Sequence, residues 1–186
     1  MAEYQFPSEF SGFHFHFVGI KGTGMVALVE ILHARGAVIT GSDVSERFYT
    51  DEILEKLGIS ALPFSEKNIT DSVRFVIYSS AYSVDKNPDL IEAKKRGLPM
   101  MLYSEALGAV SGTSYSCGVC GVHGKTTTTG LCGTLLKELP LDSQILAGSI
   151  IKSFGDSCVM TKGHEYFVAE TCEYQRHFMA FEPKKI

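Results

Sequence analysis

The sequence predicts an α/β fold: a Rossmann-like domain with a parallel sheet, followed by a truncated P-loop α/β domain. Two glycine-rich segments, at residues 19–25 and 121–127, indicate this fold, because each follows a short apolar run and precedes a helical pattern. Between them, residues 111–114 read Ser-Gly-Thr-Ser, the most linker-like stretch of the chain. We therefore predict one domain over residues 1–110 and a second over residues 111–186.

Length and composition are typical of a globular protein. The 186 residues are 45% apolar and 20% charged, and the formal net charge of −4 comes without a basic run, which gives no reason to expect a nucleic-acid partner. No apolar run reaches the roughly 20 residues of a membrane span, and the N-terminus carries no export signal, so we expect a cytoplasmic protein without a membrane partner. Five cysteines without framework spacing fit a reducing compartment. The Cys117–Cys120 pair lacks the further ligands of a zinc site.

Strands and helices are predicted to alternate through the first domain. A buried strand at residues 14–18 leads into the first glycine loop, and the helix after that loop ends near Gly36. A second strand, at residues 38–40, ends at the tripeptide GSD. The later elements, delimited by turn and capping residues, are a helix from residue 50 to residue 57, a strand at 74–79, a helix at 88–96, a strand at 99–102 and a short helix at 104–110.

The first glycine loop predicts a site for a diphosphate ligand. A diphosphate docks on the N-terminus of the helix after such a loop, and Asp43 at the tip of the next strand is placed to accept ribose hydroxyls. The glycine spacing, Gly-x-x-Gly-x-Gly, argues against an ordinary NAD site. Lys21, inside the loop, either pairs with a phosphate or is a solvated lysine. Ser79 and Ser80, at the end of another strand, are either ligand-binding residues or an ordinary polar strand end.

The second glycine-rich segment, GVHGKTT at residues 121–127, predicts a nucleotide phosphate loop. Glycines let backbone N–H groups approach the phosphates, Lys125 would reach the β- and γ-phosphates, and the Thr126 hydroxyl would help hold Mg²⁺. The common template has a glycine five residues before the Gly-Lys pair, and Val119 stands there instead. The prediction therefore depends on context, a strand at 115–119 and leucines at helical spacing up to Pro140. The alternative is a glycine turn before a helix that its threonines merely cap.

A carboxylate ends the last predicted strand, and the second domain is expected to continue as alternating strands and helices. Glu170 follows residues 166–169 and lies where a Mg²⁺ ligand belongs, because the metal bridges phosphate, hydroxyl and carboxylate. Glu173 is the rival for this role, and an ordinary exposed glutamate is the other alternative. Too little chain follows the phosphate loop for a complete P-loop sheet, so we expect a truncated domain.

Six motifs occur in a fixed order along the chain: HFVGIKGTGM at 16–25, GSD at 41–43, SSA at 79–81, NP at 87–88, GVHGKTTTT at 121–129 and VAETCEYQRHF at 168–178. Together they resemble the bacterial Mur ligases. They span most of the chain, so the resemblance is far more specific than either glycine loop alone. Lys21 and Val122 stand where the family usually has Gly and Thr, and the acidic run after Glu170 is altered.

The resemblance implies an ATP-dependent, amide-forming ligase of peptidoglycan synthesis in three domains. The first domain would bind a UDP-sugar, the central domain MgATP and the third domain an amino acid. ATP would phosphorylate the carboxylate of UDP-N-acetylmuramate, and L-alanine would attack the acyl phosphate. A member that adds a whole peptide to the same sugar is an alternative, as are a non-catalytic nucleotide-binding regulatory module and an NAD-dependent oxidoreductase. Because the third domain is missing, we expect the 186-residue chain to be inactive alone.

The resemblance also assigns roles by position. Lys125 would neutralise charge on the transferred phosphate, and His123 beside it is a second catalytic candidate that either functions or merely packs. Thr126 and Glu170 would bind Mg²⁺. The residues expected to bind ATP share the phosphate loop: Gly121, Gly124, Lys125, Thr126 and Thr127. The residues expected to line the UDP-sugar site share the loops of the first domain: Gly19, Gly22, Thr23, Gly24, Met25, Asp43, Ser79, Ser80 and Ala81.

Overall fold

The computed structural model of the protein describes residues 6–171 and Lys184. The chain divides into two compact units, Met1–Ala106 and Leu107–Ile186. Both are α/β, as the sequence predicts. Among the described residues, no helix is both long and apolar enough to span a membrane.

The first unit contains a four-stranded sheet in the order β2-β1-β3-β4, and all three strand pairs are parallel. Parallel neighbours require crossover connections, which helices supply. The elements are β1 (His14–Val18), α1 (Thr23–Ala34), β2 (Val38–Ser42), α2 (Thr50–Lys56), a 3₁₀ helix (Glu66–Asn68), β3 (Phe75–Tyr78), α3 (Pro88–Lys95), β4 (Met100–Leu102) and α4 (Tyr103–Gly112). Helix α4 begins in the first unit and ends in the second, so residues 111 and 112 are helical rather than part of a linker.

Local signals explain where these helices begin and end. Asn87 caps α3 by accepting hydrogen bonds from two backbone N–H groups, and Pro88 occupies its first turn, where no N–H is needed. Glycines with positive φ follow α1, α2 and α3 and allow the chain to turn away: Gly36 at 84°, Gly58 at 73° and Gly97 at 68°.

The core of the first unit is built around β1. Phe15, Phe17 and Val18 are completely buried, as expected for a central parallel strand covered on both faces. A large apolar side chain contributes about 1.5–3 kcal/mol when it is fully buried. The Phe-rich segment before β1 packs onto this core, with Phe13 4.8 Å and Phe6 5.8 Å from Phe15 between ring centroids.

The second unit contains a four-stranded sheet in the order β5-β8-β6-β7. Strands β5, β8 and β6 are parallel, whereas β7 is antiparallel to β6. Its elements are β5 (Tyr115–Val119), α5 (Lys125–Glu138), β6 (Ser143–Ile151), a 3₁₀ helix (Lys152–Phe154), β7 (Ser157–Thr161) and β8 (Tyr166–Glu170).

Simple alternation of strand and helix is wrong for the β6–β7 segment. The connection between these strands is a single 3₁₀ turn followed by Gly155 and Asp156, whose φ angles are 81° and 61°. A link this short can reverse the chain but cannot carry it across the sheet to a parallel position. The two strands therefore form an antiparallel pair.

The buried residues of helix α5 are small (Thr129, Gly130 and Gly133), whereas three of the leucines that predict the helix are exposed. Leu131, Leu135 and Leu139 are 63%, 67% and 46% exposed. A Cβ at Gly133 would overlap the ring of Phe154 and would lie 3.2 Å from Ile145. Glycine costs about 1 kcal/mol relative to alanine in a helix, but here it permits close packing of α5 on β6.

Candidate functional site

The first glycine loop turns sharply at the carboxyl end of β1. Gly19 has a φ of 86°, and its N–H donates to the carbonyl of Ser42 at 2.8 Å. A Cβ at Gly19 would lie 2.7 Å from the ring of Tyr82 and 3.0 Å from the Cβ of Ser79. Glycine is therefore required here both for its conformation and for the close approach of the loop after β3.

The loop opens directly into α1. Gly22 is the N-cap, and no side chain caps the helix, so the backbone N–H groups of the first turn are donors of the kind that can bind an anion. Gly24 packs against Tyr103, whose hydroxyl oxygen would lie 2.7 Å from a Cβ there. Thr23 is exposed at this end of the helix, whereas the Met25 side chain is buried.

Asp43 lies beside this loop but is largely engaged by the protein itself. Its residue exposure is 7%; Oδ2 accepts from the Lys21 N–H at 2.8 Å, and Oδ1 accepts from the Val44 N–H and the Tyr82 hydroxyl, each at 2.8 Å. Burial and the adjacent Asp43 carboxylate raise the pKa of Tyr82 to about 12, which keeps its hydroxyl a donor. Asp43 therefore ties together three loops at this sheet edge.

Lys21 is not a solvated lysine, so that interpretation of the sequence is wrong, and its ammonium bonds to protein groups instead. Its residue is only 9% exposed, and its ammonium lies 3.1 Å from Asp51 Oδ1 and donates to the Glu46 carbonyl at 2.7 Å. Burial acts to raise the pKa of Asp51, but the Phe48 N–H and the Lys21 ammonium outweigh it and hold this pKa below its ordinary value. A buried ammonium needs such a partner.

Residues 79–81 form a turn at the carboxyl end of β3, next to the glycine loop. The Ser79 N–H donates to the carbonyl of Val18 at 3.0 Å, and the Ser79 hydroxyl accepts from the Ala81 N–H at 3.3 Å. Ser79 is half-buried, and Ser80 and Ala81 are exposed. All the residues predicted to line the UDP-sugar site thus lie at one edge of the first sheet.

The phosphate-loop segment adopts the strand, loop and helix arrangement that the sequence predicts. Gly121 and Gly124 have φ angles of 142° and 80°, and Gly124 is the N-cap of α5. The Lys125 ammonium bends back over the loop and donates to the Gly121 carbonyl at 2.7 Å. Thr127 and His123 are exposed. The loop therefore presents glycine backbone and a lysine side chain on the same short segment.

Thr126 and Glu170, which are 44 positions apart in sequence, meet beside this loop. The Thr126 hydroxyl donates to Glu170 Oε2 at 2.7 Å, and the Gly148 N–H donates to the same oxygen at 2.8 Å. A hydroxyl and a carboxylate oxygen at this spacing suit Mg²⁺, which takes oxygen ligands and completes its shell with phosphate and water. Glu173, the rival ligand, lies outside the described residues. Within the described part, no group of three His, Cys, Asp or Glu side chains is arranged to hold a metal.

Gly148 contacts the carboxylate of this candidate site, and the sequence did not reveal it. A Cβ on it would overlap the carboxylate of Glu170, so glycine is what permits this carboxylate to lie against β6. The only available signal was a glycine inside a strand, which often marks such a close approach. The sequence also does not reveal the contact of Tyr82 with Asp43, because the two residues are 39 positions apart.

These features define a two-unit α/β protein in which each unit carries a glycine loop between a strand and a helix. The sequence model of the "Mur ligase family, catalytic domain" matches residues 14–115, which are more than half of the 186 residues. The chain belongs to the Mur ligase family. The matched segment contains the first glycine loop and ends before the phosphate loop.

Curated relatives extend the similarity across nearly the whole chain. The UDP-N-acetylmuramate–L-alanine ligase of Treponema pallidum subsp. pallidum is 51% identical over 181 residues, which are 97% of this chain and 38% of that protein. The ligase of the same name from Borreliella afzelii is 42% identical over 174 residues, 91% of this chain and 37% of that protein. The chain thus spans less than two-fifths of the length of these relatives.

Solved structures agree in fold. The UDP-N-acetylmuramate:L-alanyl-γ-D-glutamyl-meso-diaminopimelate ligase from Neisseria meningitides has a TM-score of 0.78 at 25% identity, over 94% of this chain and 59% of that one. The UDP-N-acetylmuramate–alanine ligase from Thermotoga maritima has a TM-score of 0.72 at 27% identity, over 91% of this chain and 39% of that one.

Proposed function

We propose that this chain supplies the UDP-sugar site and part of the MgATP site of a ligase that joins L-alanine to UDP-N-acetylmuramate in peptidoglycan synthesis. The observation that carries the proposal is the Thr126–Glu170 contact of 2.7 Å beside Lys125, on a chain 51% identical to a ligase of that name. A nucleotide sensor without chemistry does not need a carboxylate at a metal position, so this contact favours the enzyme.

The second unit would hold the triphosphate and its metal. In the proposed reaction the γ-phosphoryl group of ATP would pass to the muramate carboxylate, releasing ADP and forming an acyl phosphate. The amine of L-alanine would then displace inorganic phosphate and lose a proton to form the amide. The Lys125 ammonium would exchange the Gly121 carbonyl for a phosphate oxygen, which stabilises negative charge on the transferred group. Thr126 and Glu170 would separate slightly and share Mg²⁺ as ligands. His123 is exposed in the loop and available to the same phosphates.

The first unit would hold the UDP-sugar by its diphosphate. Gly19 and Gly22 shape the loop, and the N–H groups of α1 from Thr23 onward provide donors without steric hindrance from Gly24. Ser80 and Ala81, exposed at the same edge, would contribute further contacts. Asp43 would act mainly by holding the loops in place, since three of its four acceptor positions are already occupied by protein donors.

A second candidate is addition of a peptide to the same sugar. The name of the Neisseria meningitides ligase pairs UDP-N-acetylmuramate with a peptide, L-alanyl-γ-D-glutamyl-meso-diaminopimelate. Its structure has a TM-score of 0.78, against 0.72 for the Thermotoga maritima structure. The curated relatives of much higher identity carry the L-alanine name. Identity of 51% against 25% therefore favours L-alanine.

Calorimetric titration of the chain tests the first half of the proposal. We expect saturable binding of UDP-N-acetylmuramate and none of NADH, because the loop lacks the glycine spacing of an ordinary NAD site. Binding of NADH without binding of the UDP-sugar would overturn the ligase assignment.

Titration with MgATP tests the second half. Thr126→Val removes the metal-side hydroxyl and should weaken MgATP binding by about tenfold, while ATP without Mg²⁺ changes little. Thr134→Val is the matched control, because Thr134 lies on the same helix and bonds to the Gly130 carbonyl and Ser153 instead. Equal effects of the two substitutions would contradict the Mg²⁺ role of Thr126.

A further inference from the structure

The segment between β2 and α2, residues 43–51, is fastened to the first glycine loop through one residue, Lys21. The Lys21 N–H donates to Asp43, its carbonyl accepts from the Thr50 hydroxyl at 2.7 Å, and its ammonium reaches the Glu46 carbonyl and Asp51. All three polar groups of Lys21 thus bond to the same segment. The ammonium also lies 5.9 Å from the centre of the Phe48 ring.

This attachment places a tyrosine at the N-terminus of α1. The Tyr49 hydroxyl lies 2.8 Å from the Thr23 hydroxyl, and each can donate to the other. Tyr49 is 52% exposed and Thr23 is exposed as well, so both hydroxyls are accessible from solvent. Thr23 is the first residue of α1, where the backbone N–H groups point outward.

The charge of Lys21 is already neutralised by Asp51, so it is not available for a diphosphate. Neutral hydroxyl donors at the helix N-terminus remain, and two of them are adjacent. A hydroxyl pair suits phosphate oxygens, because each hydroxyl can rotate its proton from its neighbour toward the anion.

We propose that Tyr49 is a ligand-contacting residue of the UDP-sugar site, donating with Thr23 to the diphosphate, and that Lys21 is the positioning residue that holds Tyr49 there. This rests on the proposed function of the first unit. The ligand class is a nucleoside diphosphate, recognised by hydroxyl and backbone donors without a lysine.

Calorimetric titration with UDP-N-acetylmuramate tests the contact. Tyr49→Phe keeps the ring and removes the hydroxyl, and we expect about tenfold weaker binding, typical for the loss of one hydrogen bond to a charged group. Tyr115→Phe is the matched control, because Tyr115 is 45% exposed in the second unit. Unchanged or tighter binding by Tyr49→Phe would overturn the contact, and tighter binding would show that Tyr49 obstructs the site.

Hydrogen exchange tests the positioning role without any ligand. Lys21→Met should speed amide exchange across residues 44–51 and weaken binding of the UDP-sugar by tenfold or more, whereas Lys21→Arg should restore most of both. Lys67→Met, at an exposed lysine of the same unit, is the control. Unchanged exchange in Lys21→Met would overturn the positioning role.

The outcomes for the two proposals are separable. If the wild-type chain binds no UDP-sugar, the proposed function of the first unit fails, and the Tyr49 contact fails with it. If the wild type binds and Tyr49→Phe binds equally well, only the contact fails. The exchange result decides the Lys21 role in both cases.

Discussion

Replacing Asp89 with alanine should destabilise the first unit more than any surface substitution. Asp89 is completely buried at the start of α3, and its carboxylate accepts three hydrogen bonds. The donors are His16 Nε2 at 3.1 Å, Asn68 Nδ2 at 2.8 Å and the Ser65 N–H at 3.0 Å. Burial acts to raise the pKa of Asp89, but the bonds from His16 and Asn68 outweigh it and hold this pKa below its ordinary value.

The magnitude follows from the donors that Asp89→Ala would leave behind. An unpaired buried donor costs about 1–3 kcal/mol, and Asp89→Ala would leave three donors without their carboxylate. Because Asn68 and Ser65 are only partly buried, water can satisfy some of this loss, and we expect about 3–5 kcal/mol for Asp89→Ala. Asp89→Asn retains one acceptor and should cost less than the alanine variant.

Hydrogen exchange of the slowest amides in β1 and β3 measures this loss for the first unit alone. The matched control is Asp85→Ala, since Asp85 is 79% exposed and its ion pair with Lys94 lies in solvent. The expected order of destabilisation is Asp89→Ala, then Asp89→Asn, then Asp85→Ala at less than about 0.5 kcal/mol. If Asp89→Ala falls within about 1 kcal/mol of Asp85→Ala, the assignment of three buried hydrogen bonds is refuted.

Three further substitutions test other contacts. Gly148→Ala should lower MgATP affinity by about tenfold or more, because the new Cβ displaces the Glu170 carboxylate, while Gly112→Ala, with nothing within 4 Å of its Cβ, should not. Burial and the nearby His16 lower the pKa of His14 in the folded chain below its ordinary value of 6.5. The unfolded chain therefore binds a proton at His14 more readily than the folded chain does. The stability that neutral His14 contributes is present above pH 6.5 and is lost as the pH falls. His14→Gln should flatten this acid slope in urea titrations at several pH values, and an unchanged slope would contradict it. Tyr82→Phe should cost about 1–2 kcal/mol by thermal unfolding, because it leaves Asp43 with one donor fewer; no loss would show that water replaces the hydroxyl.

Elements with strong local signals could be predicted from the sequence. The predicted strands at 14–18 and 115–119 coincide with β1 and β5, and Asn87 and Pro88 mark the start of α3. In each case an apolar run or a capping residue acts within a few positions of the element itself. Such signals do not depend on how the rest of the chain folds.

The β6–β7 pair could not be predicted in this way. Residues 143–151 mix serine, glutamine and glycine with apolar residues, and only the first five are buried. This strand forms by pairing with β7 and β8, and these pairings exist only once the sheet has folded. Helix α5 illustrates the reverse case, since its leucine spacing predicts a helix but not the glycine face that packs on β6.

Lys21 shows why the surroundings of a single loop residue are hard to predict from the sequence. A lysine in a glycine loop has two obvious roles, and both assume that its ammonium points outward. Its actual partners are Asp51 and the Glu46 carbonyl, which lie 25 or more positions away. Asp51 itself reads in the sequence only as an acidic residue in the first turn of a helix.

Lys21 in the first glycine loop and Lys125 in the second have different bonding partners, which is consistent with a different role for each loop. The ammonium of Lys21 forms an ion pair with the Asp51 carboxylate. The ammonium of Lys125 instead bonds to the Gly121 carbonyl, which a phosphate oxygen can replace. A diphosphate that is only held needs donors at fixed positions, which the N-terminus of α1 provides. A phosphoryl group that is transferred needs mobile positive charge and a metal, because negative charge shifts during the reaction. Under the proposed function, the loop where phosphate chemistry occurs is therefore the one in which the lysine lies beside a carboxylate–hydroxyl pair and its ammonium bonds to a backbone carbonyl.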